Sequence, residues 1–186
     1  MSLRPDVDRQ RIERFLRELG RAFRHPARLY LVGGTTLVYE QLRRTTMDID
    51  FTVDVAPAHH GEFMRQLARL KDALAMNVEE ASPADFIPLP SGWQERARYL
   101  GRFGQVEAFH FDPLSTALSK LARGFEEDVV DVRSLLQAGL ITPEEVKNAA
   151  IQVASRLPER GWSATETADF EANVALALGA QGDQGE

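Results

Sequence analysis

Between Thr46 and Val55 the chain reads Thr-Met-Asp-Ile-Asp-Phe-Thr-Val-Asp-Val. Along an extended strand side chains alternate, so Asp48, Asp50, Thr52 and Asp54 share one face while Ile49, Phe51, Val53 and Val55 share the other. Two carboxylates two residues apart on one face repel each other unless a cation sits between them. The apolar face can anchor the strand in a core, which leaves Asp48 and Asp50 to hold a hard divalent metal, best Mg²⁺.

A glycine pair precedes this strand. Arg28 to Val32 is short and largely apolar, as a strand should be, and Thr35 to Leu42 can continue as a helix, so Gly33-Gly34 falls at a strand-to-helix turn. Backbone N–H groups at such a turn attract phosphate, glycine lets the phosphate come close, and the Thr35 and Thr36 hydroxyls can add hydrogen bonds. Either feature alone is common in turns and on surfaces. Their order and spacing together carry the reading.

A second segment has chemistry of its own. Asp112 is a good N-cap and Pro113 fits the first helical position, so a helix starts there and runs through Lys120 and Arg123. Leu114, Ala117, Leu118 and Leu121 form its apolar stripe, with Lys120 and Arg123 three residues apart on a neighbouring face. Lysine occurs only at 71, 120 and 147. On residue chemistry alone, Lys120 would pair with a nearby acid, Asp128 or Asp131.

The glycine pair followed by Arg43, Thr46, Asp48 and Asp50 in the order Arg-x-x-Thr-x-Asp-x-Asp resembles the nucleotidyltransferase, or polymerase-beta-like, superfamily. The resemblance is nearest to its minimal members of the AbiEii toxin type. These also carry a Lys-x-x-Arg helix followed by Asp-x-x-Asp, here Lys120, Arg123, Asp128 and Asp131. The resemblance implies an α+β fold, a small mixed sheet flanked by helices with a C-terminal helical part. It implies an Mg²⁺-dependent transfer of an NMP group from an NTP to a hydroxyl acceptor, a tRNA end or a protein side chain, with an antitoxin protein as partner. Asp48 and Asp50 would be the metal ligands, Gly33, Gly34 and Thr35 the phosphate cradle, and Lys120 and Arg123 nucleotide ligands. The alternative is an inactive relative that binds a nucleotide or a partner protein in the same cleft.

Two positions depart from the superfamily pattern. Gly34 stands where many members carry serine, and the third carboxylate is not fixed. Its candidates are Asp131, which would reach the site or orient Lys120, then Asp128, then Glu107 on a late strand beside Phe109 and Phe111.

Composition sets the frame. The 186 residues, 44% hydrophobic, suffice for one domain, or a core with a helical appendage. Without cysteine there are no disulfides and no thiolate zinc sites, which suits a cytoplasmic protein. No apolar run or leader-like N-terminus points to a membrane or to export. A net charge of −6 argues against a surface built broadly for nucleic acid. One arginine stripe, Arg11, Arg14, Arg17, Arg21 and Arg24, lies opposite the apolar face of the first helix and reads as a solvated face, with a polyanion-docking surface as the alternative. His25 and His110 are isolated, and His59-His60 lack a His-Glu-x-x-His context, so no zinc hydrolase is indicated.

The expected order is a helix (8–24), strand (28–32), helix (35–42), acidic strand (48–55), helix (58–74) and a strand at 76–80. A proline-rich loop (82–93) and a hairpin around Gly104 follow, and then helices, with capping boxes at Thr142/Glu145 and Ser163/Glu166. The expected division is a core at 1–112, a helical part at 113–178 that completes the site, and a disordered tail at 179–186.

Overall fold

The structure, a computed structural model, describes residues 4–179; apart from Gly179, the tail expected to be disordered lies outside the described residues. The chain forms two compact units. One comprises the residues up to Ser82 together with Ala97–Phe111, and the other Pro83–Arg96 together with the chain from Asp112 onward.

The first unit holds α1 (Arg9–Ala22), β1 (Ala27–Leu31), α2 (Gly33–Tyr39), β2 (Asp48–Val55), α3 (Pro57–Ala73) and β3 (Asn77–Glu80), closed by the hairpin β4 (Arg98–Phe103) and β5 (Val106–His110). The sheet order is β3-β2-β1-β5-β4. β1 runs antiparallel to β2 and parallel to β5, and β2 runs parallel to β3, giving the mixed sheet flanked by helices that the sequence predicts.

Alternation fixes which face is core. Ile49 and Phe51 of β2 join Leu29 and Leu31 of β1 and Val106 and Ala108 of β5 in one buried cluster. Onto this face α1 brings Ile12, Phe15, Leu16 and Leu19, all fully buried, and α3 brings Phe63 and Leu67. α1 begins where Asp8 accepts a hydrogen bond from the Arg11 N–H at 2.9 Å, an Asp cap at the entry of a strongly amphipathic segment. Part of its arginine face is paired. Arg21 pairs with Glu18 and Arg9 with Glu13, and Arg11 donates to the carbonyls of Leu74 and Ala75.

The second unit is helical. A 3₁₀ turn (Pro83–Asp85) and the short α4 (Trp93–Arg96) precede α5 (Pro113–Arg123), α6 (Glu126–Gln137), α7 (Pro143–Ala154) and α8 (Ala164–Ala177). α5 is the central helix: it packs against α6, α7 and α8, and every residue from Pro113 to Leu121 is buried. Burial therefore extends beyond the predicted apolar stripe to Ser115, Thr116, Ser119 and Lys120. Asp112 caps α5 from two backbone N–H groups and takes a paired hydrogen bond from the Arg96 guanidinium at 2.8 and 2.9 Å. This joins the proline-rich segment to α5. Both predicted capping boxes are formed, at Thr142/Glu145 on α7 and Ser163/Glu166 on α8. No helix among the described residues is long and apolar enough to cross a membrane.

Candidate functional site

The acidic strand and the glycine turn meet in the first unit. Asp48 and Asp50 are half-buried on the β2 face turned away from the core, and the parallel pairing of β3 sets Asn77 beside Asp48 and Glu79 beside Asp50. Carboxylate oxygens of Asp48, Asp50 and Glu79 lie within 4.8 Å of one another. Three carboxylates this close offer oxygen ligands only, the donor set of Mg²⁺ or Ca²⁺. The residues present thus fit the cation that the strand pattern calls for.

Gly33 stands directly against this cluster. Its φ is +58°, which favours glycine, and a Cβ there would lie 3.1 Å from Asp50 Oδ2 and crowd that carboxylate. A Cβ on Gly34 would lie 2.8 Å from Thr46 Oγ1, with Arg43 just beyond. Gly34 is buried and receives the Arg43 and Thr46 side chains of the segment leading into β2. That packing supplies a reason for glycine where serine is the commoner residue.

The two threonines have partners in the strand backbone. The Thr35 hydroxyl donates to Asp48 O at 3.3 Å and accepts from Asp50 N–H at 2.8 Å, while Thr36 donates to Leu31 O at 2.8 Å. Both residues are buried. Their hydroxyls are spent on strand backbone, and Thr35 holds the start of β2 against the glycine turn.

Strand alternation does not single out Glu79, and the three other carboxylates each have partners of their own. Glu107 on β5 is in register with Arg28 on β1, whose guanidinium is 3.8 Å away, toward the Asp54 end of β2. Asp131 and Asp128 lie in the second unit on α6, where Lys120 Nζ donates to Asp131 Oδ2 at 2.7 Å and to Asp128 Oδ1 at 3.1 Å. Arg123 donates to the same Asp128 oxygen at 2.6 Å. Lys120, Asp128 and Asp131 are all buried, so the pairing that residue chemistry alone favours is present, and two cations face two anions.

Next to the glycine turn, His110 of β5 is buried between Thr36 and Glu40. Thr36 Oγ1 lies 3.3 Å from His110 Nδ1, within hydrogen-bond reach. Burial and the Arg98 and Arg9 guanidiniums push the imidazole down to about 3. Glu40 Oε1, 2.7 Å from Nε2, pulls the other way. It lacks the alignment of a hydrogen bond and is shared with Arg98 Nη1 at 3.2 Å, so burial prevails and the ring is neutral at pH 7.

Residues 10–172 match a family described as nucleotidyltransferase of unknown function (DUF6036). The chain belongs to this family. The nucleotidyltransferase assignment spans most of both units and agrees with the mixed sheet and the placement of Asp48 and Asp50 on β2. No curated protein and no solved structure matches the chain.

Proposed function

We propose that this nucleotidyltransferase moves an NMP group from an NTP to a hydroxyl acceptor, using a divalent cation, Mg²⁺, held by Asp48, Asp50 and Glu79. The observation that carries this reading is the clustering of the three carboxylates beside a positive-φ glycine whose Cβ would press on Asp50. In the reaction the acceptor oxygen bonds to the α-phosphorus, the bond to the bridging oxygen breaks, and pyrophosphate and a proton leave. A cation bound there supplies charge neutralisation for the triphosphate and makes the acceptor hydroxyl easier to deprotonate. The backbone of the Gly33–Thr35 turn receives phosphate, with Thr35 fixing the turn to β2. By resemblance to the AbiEii toxin type, the acceptor is a tRNA end or a protein side chain and the partner an antitoxin; the lack of cysteine suits the cytoplasm.

Lys120 and Arg123 enter the proposal as phosphate ligands on resemblance alone, with Asp131 orienting the Lys120 ammonium. Incubation with each labelled NTP, Mg²⁺ and total RNA or cell lysate tests the activity. Asp48→Asn, Asp50→Asn and Glu79→Gln should each lower transfer roughly a hundredfold or more, the scale of removing one electrostatic stabiliser. Each relieves charge repulsion, so stability should hold or rise. Undiminished transfer by Asp48→Asn and Asp50→Asn overturns the assignment. In the wild type, Mg²⁺ with the preferred NTP at a hundred times its Kd should add about 2.7 kcal/mol to stability.

A further inference from the structure

A second group of ligating side chains lies at the other end of β2. Five residues along the strand from Asp50, about 16 Å at the usual rise, β2 ends and α3 begins. His59 is in the first turn of α3, and Glu62 follows it by three residues, the spacing that puts two side chains on one helix face. His25, from the turn between α1 and β1, completes the group. One donor atom from each of His25, His59 and Glu62 lies within 4.8 Å of the others, and His25 Nε2 is 3.2 Å from Glu62 Oε2.

We propose that His25, His59 and Glu62 bind a Zn²⁺ ion, with a fourth position left to water. Two imidazoles and a carboxylate form a borderline donor set that suits Zn²⁺, whereas the all-oxygen cluster around Asp50 suits Mg²⁺. Tetrahedral Zn²⁺ with bonds near 2.1 Å separates its ligand atoms by about 3.4 Å. The His25–Glu62 spacing already meets this, and the widest separation has to close by no more than about 1.4 Å. The His25 and His59 rings stack at 3.7 Å and 7°, so His59 swings out of the stack as it turns its nitrogen to the metal.

The group is held from behind. The His25 ring meets Phe23 edge-on at 5.5 Å, and Phe23 in turn packs on Phe63 of α3 at 5.2 Å, so a fully buried pair of aromatics fixes the approach of the two backbones. All three ligands are half-buried, which leaves an entry path for an ion. The sequence alone did not show the site because its two histidines come from elements 34 residues apart in the chain.

Titration of the full chain with Co²⁺, followed by displacement with Zn²⁺, tests the proposal. The wild type should develop the visible absorption of tetrahedral Co²⁺ at one equivalent and lose it on adding Zn²⁺ but not Mg²⁺. His25→Ala and His59→Ala should weaken binding more than about tenfold. His60→Ala, an exposed neighbour, and Asp50→Asn should bind as the wild type does. If His25→Ala fails to fold, His59→Gln and Glu62→Gln carry the comparison. Absence of the band in the wild type, or equal affinity in the His25 and His59 variants, overturns the proposal.

Discussion

The Thr35 hydroxyl reaches two backbone atoms of β2, and both belong to the residues proposed to hold the cation. Thr35→Val keeps the shape and removes the hydroxyl, leaving the Asp50 N–H without that acceptor in a half-buried position. It should cost about 1–3 kcal/mol in urea unfolding and lower transfer through misplaced carboxylates, while Thr35→Ser should keep most of both. His110 provides a different readout. Unfolded, its ring takes up a proton near 6.5; folded, only near 3, so between these values the unfolded chain holds more protons. Stability contributed by the neutral ring is complete above pH 6.5 and is lost as pH falls toward 3. Between pH 7 and 4.5 the wild type should therefore lose about 2–3 kcal/mol more than His110→Gln, measured by urea unfolding at each pH. Of these residues, Asp48 and Asp50 were legible from strand alternation taken together with the glycine pair before it. Glu79 was not, because its place depends on β3 pairing in parallel with β2, and no local pattern encodes that register. The inward turn of Thr35 was equally hidden, since a hydroxyl at a turn suits backbone and phosphate alike.

Among the elements, α5 and α6 show how a buried charge is managed. Lys120 joins them through Asp128 and Asp131, and Lys120→Ala would leave two buried carboxylates without the ammonium that bridges them. The expected loss is about 3–5 kcal/mol in chemical denaturation. Lys120→Met combined with Asp131→Leu should recover at least half of it, because replacing a buried pair by apolar groups costs far less than breaking one. The double variant also separates the two roles of Lys120. Recovered stability with lost NTP binding supports the phosphate assignment, and recovered binding removes it. Element boundaries were legible where caps and periodicity agreed, as at Asp112-Pro113, Thr142 and Ser163. The stretch 82–93 was less so. It carries a 3₁₀ turn and leads into α4, elements too short to leave a periodic signal.

At the scale of the molecule, the path of the chain matters more than its length. The expected division at 112/113 follows sequence order, but Pro83–Arg96 belongs with the helices that come later. The backbone consequently crosses from one unit to the other three times, near residues 82, 96 and 111. Such threading bears on how the protein can be dissected. A fragment ending before Asp112 would retain the whole sheet but strand Pro83–Arg96 without α5, leaving the Arg96 guanidinium without the carboxylate that grips it with two hydrogen bonds. A fragment starting at Asp112 would lack α4 and the turn at Pro83–Asp85, both of which pack on α5. No single cut yields two intact halves. Any attempt to express the helical unit alone has to rejoin Pro83–Arg96 to Asp112 through a new linker, with Arg96 and Asp112 as the natural splice points.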